Sequence, residues 1–323
     1  MTRSSILACA LASGFFAFPS AAQEQEPAYA YATLAEGRFE QGDVGKVDPG
    51  ALFQSGSIAK WACSLAAVRL ADRGALDLDA PISRMLPDLE LGEAGTATLR
   101  QVLQNRSGLR DGLMPAVQQD MEGTLAIAST GEAIRQFVAG EMAREAGGEF
   151  SYDLVNWIVA QAVLEQASGE PLAKVLDSLV LEPAGMGSSH VFERQLGPEG
   201  QTPAEAAMPM PDFLQCAGGL ATRPADLVAL LRFAYKGGLS PDALAEFTTI
   251  ATADENYALG GRIETHGGRM WSWQTGSNGP YKSVAIYDPV SDSGYAAMTA
   301  TGDWEPIQQA RDAWIVALSR PSD

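Results

Sequence analysis

The apolar period changes twice along this 323-residue chain, and that ordering narrows the folds open to it. From Tyr29 to Val44 the hydrophobic residues alternate loosely about Gly37, the pattern of a β-hairpin. Helical patterns follow. Ala59 to Arg73 is stopped by Gly74, and Thr98 to Asn105 is capped by Thr96 or Thr98. Ala133 to Glu141 is another, Asp153 to Ala167 is stopped by Gly169, and Pro171 to Leu181 is bounded by Pro183. Past Pro224 a helix runs to Tyr235, with Gly237-Gly238 as its stop. The tail then reads as strands at Tyr257–Ile263, Met270–Thr275, Lys282–Tyr287 and Gly294–Ala300, closed by a helix from Glu305 to Leu318. A hairpin, a helical middle and a late run of antiparallel strands predict an α+β fold. Both ends of the chain then build one sheet, and a mostly helical part covers roughly 75–222.

The N-terminus carries a different signal. Arg3 precedes an apolar run from Ile6 to Phe18, and Pro-Ser-Ala-Ala22 stands before Gln23. This is the pattern of a secretory signal peptide over residues 1–22, leaving 23–323 as the folded domain in a secreted, periplasmic setting. The run is too short and interrupted to span a membrane. Its removal takes away one base and no acid, leaving the chain one charge more acidic than the −18 of the full sequence. Such a surface repels nucleic acid and anionic lipid, which excludes both as expected partners. Cys63 and Cys216 are the two cysteines of the mature chain. They could pair in an oxidising compartment, but Cys63 lies in an apolar helix, and buried free thiols are the expectation.

Histidine is scarce. His190, in a predicted loop, and His266, in a predicted hairpin turn, are the only two, and neither a Gly-x-Ser-x-Gly elbow nor a His-Glu-x-x-His motif is present. An α/β-hydrolase triad and a zinc hydrolase are therefore disfavoured. A different nucleophile stands in Phe53-Gln-Ser-Gly-Ser-Ile-Ala-Lys60, where Ser57 and Lys60 are three residues apart at a helix start. That spacing stacks both side chains on one helix face. A lysine whose charge is disfavoured by burial can take the proton of a serine hydroxyl. Local pattern alone equally allows Ser55 or Ser57 as an N-cap and Lys60 as a solvated first-turn side chain. Further along, Tyr152 in Gly147-Gly-Glu-Phe-Ser-Tyr152 is a candidate proton carrier. Gln274-Thr-Gly-Ser277 ends a predicted strand and could aim a backbone N–H at an oxyanion. Trp271 and Trp273 are read as aromatic core in preference to an acyl pocket.

Five stretches in this order resemble the serine β-lactamase and DD-peptidase superfamily, and most closely its class C-like branch. They are Phe53 to Lys60, Leu99-Arg-Gln-Val-Leu-Gln-Asn-Arg-Ser-Gly-Leu109, Phe150-Ser-Tyr152, Ala217-Gly-Gly-Leu220 and Gln274 to Ser277. Ala71 to Asp77 and Leu181 to Met186 support them. The resemblance implies a sheet flanked by helices packed on a helical part, with the active site in the cleft between. It implies Ser57 as acyl-forming nucleophile, Lys60 and Tyr152 as proton partners, and an oxyanion hole from the Ser57 and Ser277 amides. No metal or organic cofactor is implied, and the expected partner is a small-molecule or peptide-like substrate. Two positions depart from the family pattern. Leu154 stands where Tyr-x-Asn has its asparagine and can neither donate nor accept a hydrogen bond. Gln274 replaces the usual cation before Thr275-Gly276. Both changes point to an ester or peptide-like amide. The alternatives are a true β-lactamase or a binding protein with decayed chemistry on the same fold.

Overall fold

The computed structural model describes residues 26–192, 210–266 and 268–318; residues 1–22, read above as a signal peptide, lie outside them. One six-stranded antiparallel sheet has the order β2-β1-β9-β8-β7-β6. Its strands are β1 (Tyr29–Ala35), β2 (Arg38–Val44), β6 (Arg262–His266), β7 (Arg269–Asn278), β8 (Tyr281–Asp288) and β9 (Ser293–Thr299). The N-terminal hairpin joins the C-terminal meander through β1 and β9, with Ala32 opposite Ala296. Both chain ends therefore build the sheet, as the change of period predicts.

The inner strands are buried on both faces and divide their side chains between two cores. Val284, Ile286, Tyr295 and Ala297 meet the terminal helix Glu305–Leu318, whereas Ala285, Tyr287, Ala296 and Met298 belong to the main core. Trp271 is buried on the terminal-helix side, edge-on to Trp314 with ring centroids 6.0 Å apart, and Trp273 packs on the same cluster. These tryptophans are core, as the sequence reading prefers, and lie on the face of β7 away from Gln274 and Gly276. On the other face, the helix Pro224–Phe233 lies across β1, β8 and β9.

The helical part is organised around Val155–Ser168, whose first ten residues are all buried and whose end is the left-handed Gly169. It packs on the helix Ala59–Asp72, which follows Ser57, and on the short helix Leu99–Leu103. Of the two threonines proposed to cap that short helix, Thr98 does so, through a reciprocal capping box with Gln101. Several boundaries depart from expectation. The helix read at Ala133–Glu141 runs from Thr130 to Phe137, because Ser129 supplies the cap. The strand read at Tyr257–Ile263 begins only at Arg262, after the Gly260-Gly261 break, and Tyr257 makes isolated bridges instead. His190 sits in a two-residue strand, not a loop.

The largest correction concerns the cysteines. Cys63 and Cys216 form a disulfide, with Cα atoms 5.8 Å apart, where free thiols were expected. An apolar helical setting suits a buried thiol and a buried disulfide equally, and only the tertiary approach of the two segments distinguishes them. A second, small sheet is also new. β3 (Phe53–Gln54), β5 (Leu220–Thr222) and β4 (His190–Val191) pair antiparallel in the order β3-β5-β4. Strands of two or three residues are too short for alternation to register in sequence.

This small sheet and β7 together hold the turn that carries Ser57. The Ser55 N–H donates to the Leu220 carbonyl at 2.8 Å, and the Ser283 hydroxyl to the Ser55 carbonyl at 2.7 Å. Asn278 Nδ2 donates to Gln54 Oε1 at 2.6 Å. The backbones meet so closely that two glycines are required. Gly56 has φ +56°, and a Cβ there would stand 2.4 Å from the Ser277 nitrogen; one on Gly276 would stand 1.8 Å from the Ser55 oxygen. A Gly276→Ala substitution is expected to lower unfolding stability by about 2 kcal/mol, because backbone and not a side chain must yield. Urea denaturation checks this, and an unchanged midpoint would mean that the junction is looser than described.

Candidate active site

Ser57 lies in a single 3₁₀ turn, Gly56–Ile58, that runs directly into the helix Ala59–Asp72. Neither Ser55 nor Ser57 caps the helix with its side chain, so the capping alternative does not hold. Lys60 is not solvated either: it is 1% exposed. Its Nζ donates to Ser57 Oγ at 3.0 Å and to the Ala217 carbonyl at 2.7 Å. The rings of Tyr152 and Trp157 flank the amine, with centroids 5.1 and 5.6 Å away. Among the described residues Ser57 Oγ and the Ala217 carbonyl are the hydrogen-bond partners of Nζ.

Burial among groups with no full negative charge disfavours the ammonium, and it pushes the Lys60 pKa below the ordinary lysine value. Tyr152, beside the amine, opposes that shift. An amine shifted in this direction can serve as a base, and it lies within hydrogen-bonding distance of a half-buried serine hydroxyl. Ser57, Lys60 and Tyr152 are thus brought together as the sequence reading expects.

The strand residues divide. Gly276 and Ser277 pass against Gly56, so the Ser277 backbone lies beside the Ser57 turn. The exposed Ser277 hydroxyl accepts from Lys282 Nζ at 2.7 Å. Thr275 pairs with Val284 within β7 and β8 and is half-buried. Gln274 points to the helical side, is 6% exposed, and its Nε2 finds no hydrogen-bond partner among the described residues; that atom lies close to Gly261 and Trp61. Leu154 is half-buried against the main core at the start of the helix Val155–Ser168.

Several residues of the site carried no assigned role in the sequence. Tyr152 is held by an aromatic group, with the Phe150 and Tyr257 rings 6.4 and 6.2 Å from its own. Tyr257 is fully buried, and burial together with the neighbouring Tyr152 pushes its pKa well up. Beneath them Ser107 donates to Asn156 Oδ1 at 2.5 Å, and Asn156 Nδ2 to Asn105 Oδ1 at 3.4 Å. The Arg106 guanidinium donates to the carbonyls of Gly147, Gly148 and Ala251, tying the loop before Tyr152 to the one before Tyr257. The stretch Asn105-Arg-Ser-Gly108 was visible as a motif, and its work is to hold the Tyr152 loop. The Ala217 carbonyl, a backbone group, left no signal beyond the Ala217-Gly-Gly-Leu220 stretch.

Comparison with known proteins agrees with this geometry. The model of the Beta-lactamase family matches residues 21–319, and the chain belongs to that family, which is one of serine hydrolases. Esterase EstB of Burkholderia gladioli is 33% identical over 146 residues, a stretch that covers 42% of this chain and only 37% of the esterase. Penicillin-binding protein 4 of Amycolatopsis lactamdurans is 23% identical over 290 residues, covering 83% of this chain and 71% of that protein. In fold, the chain is similar to a D-stereospecific amidohydrolase from Streptomyces sp., with a TM-score of 0.76 at 21% identity, covering 88% of this chain and 93% of that one. The α+β, β-lactamase-like fold is thereby established.

The direction of the Lys60 shift can be measured. In ¹³C-labelled lysine the Lys60 resonance should titrate below the ~10.4 of an unperturbed lysine. Between that midpoint and ~10.4 the unfolded chain binds the extra proton, so stability should rise with pH across this window. A midpoint at or above ~10.4 would contradict the buried, uncompensated amine.

Proposed function

We propose that this protein is a secreted serine hydrolase that opens a small ester or peptide-like amide through a covalent acyl-enzyme at Ser57. The observation that carries the reading is the Lys60 amine, buried, lowered in pKa and 3.0 Å from Ser57 Oγ. Neutral Lys60 takes the hydroxyl proton as Ser57 Oγ attacks the carbonyl carbon. The negative charge on the carbonyl oxygen is met by the backbone N–H groups of Ser57 and Ser277, which lie on the two sides of the Gly56 contact. Tyr152, whose ring centroid lies 5.1 Å from the Lys60 amine, passes the proton to the leaving alkoxide or amine as the carbonyl re-forms.

Leu154 and Gln274 bear on the substrate. Leucine offers no hydrogen bond to orient an amide, and glutamine offers no charge to a substrate carboxylate. Both favour an ester, whose alkoxide leaves more readily than an amine, over a β-lactam or D-alanyl peptide. The same two residues motivate the binding-protein alternative, against which the intact Ser57, Lys60 and Tyr152 arrangement weighs. Export to the periplasm is supported by the pattern of residues 1–22 and by the disulfide, which suits an oxidising compartment.

Hydrolysis of a short-chain p-nitrophenyl ester tests the proposal. Turnover should be abolished in Ser57→Ala and reduced about 10²-fold or more in Lys60→Met and in Tyr152→Phe. Equal rates in wild type and Ser57→Ala would sink the hydrolase reading and favour a binding protein.

A further inference from the structure

Lys60 needs more than proximity to Ser57. An amine on a flexible four-carbon stem, released from its charge by burial, must be held in one position to act on one hydroxyl. The helix Ala59–Asp72 fixes its root, and the Ala217 carbonyl, at 2.7 Å, fixes its tip. That carbonyl belongs to Gln215–Gly218, a single helical turn whose last carbonyls have no partner within the turn and are free to accept from outside. One turn of helix has little stiffness of its own.

The covalent tie lies at that point. Cys63 follows Lys60 by three residues and so shares its helix face, and Cys216 immediately precedes Ala217. The disulfide and the Lys60–Ala217 hydrogen bond are adjacent rungs between the same two segments, and both cysteines are wholly buried. Besides the disulfide, two side-chain hydrogen bonds hold this turn: the Cys216 N–H donates to Gln161 Oε1 at 3.2 Å, and Gln215 Nε2 to the Phe192 carbonyl at 3.4 Å.

We propose that the Cys63–Cys216 disulfide is a positioning device of the active site, which holds the Ala217 carbonyl against the Lys60 amine and so keeps the base in register with Ser57. The cysteines touch no reacting atom; they act through Ala217. The inference rests on the hydrolase reading for its kinetic consequence, but its geometric content stands apart from it. Among the described residues the titratable group beside Lys60 is Tyr152, its ring centroid 5.1 Å from Nζ.

The test compares wild type with Cys63→Ala/Cys216→Ala on the p-nitrophenyl ester, and follows the Lys60 titration in ¹³C-lysine-labelled protein. The double variant should remain folded, lose about tenfold or more in kcat with KM unchanged, and show its Lys60 midpoint moved back toward that of an ordinary lysine as water reaches a loosened amine. A second form guards against a packing defect from the lost sulfurs. It is wild type refolded from urea under a phosphine reductant, which keeps both cysteines as thiols, and it should behave like the double variant. A lower melting temperature with kcat and the Lys60 midpoint unchanged would overturn the proposal, leaving the disulfide a general staple. Failure of both forms to fold would overturn it too, since the bond would then serve the whole core. If wild type turned over no ester, the hydrolase reading would fall, while the Lys60 midpoint would still decide the positioning role.

Discussion

A lysine amine with almost no solvent exposure, no carboxylate among its described contacts and a serine hydroxyl at 3.0 Å is the constraint on which the rest of this structure turns. An ammonium buried in this way is costly, and the cost is met by disfavouring the charged form. That shift is in the direction the proposed chemistry requires of its base. Every element around it contributes to that burial. The long helix Val155–Ser168 brings Trp157 over the amine, the loop held by Arg106 brings Tyr152, and the one-turn helix at Gln215–Gly218 brings a carbonyl.

The two-part architecture serves the same end. The six-stranded sheet delivers the Gly276-Ser277 backbone to one side of the Ser57 turn, and the helical part delivers Lys60 partners to the other. At the junction the backbones approach so closely that Gly56 and Gly276 have no room for a Cβ. Hydrogen bonds from Ser55, Ser283 and Asn278 lock the contact. Ser57 thus sits on a turn clamped from two directions, which is the preorganisation that the proposed charge-developing transition state needs.

Much of this was legible in the sequence because it is local. The Ser57–Lys60 spacing specifies a shared helix face, the Thr98 cap is a local motif, and the terminal helix Glu305–Leu318 appears with the bounds its pattern predicts. What was not legible depends on distant segments meeting. Cys63 in an apolar helix reads the same whether it is paired or free, and the small sheet β3-β5-β4 is too short to leave a period. The Ala217 carbonyl has no side chain to announce it. Gln274 reads as a lost cation in sequence, while the structure adds that its amide nitrogen, beside Gly261 and Trp61, is buried without a partner among the described residues.

The central claim is that Ser57 becomes covalently acylated with Lys60 as its base. Intact-protein mass spectrometry of the protein, acid-quenched during turnover of an activated short-chain ester, tests it most directly. The account predicts a mass increase of one acyl group, mapped by peptide digestion to Ser57 and absent from Ser57→Ala, with its rate of appearance rising with pH as Lys60 loses its proton. Ester turnover with no adduct at any quench time, or an adduct that persists in Ser57→Ala, would contradict it.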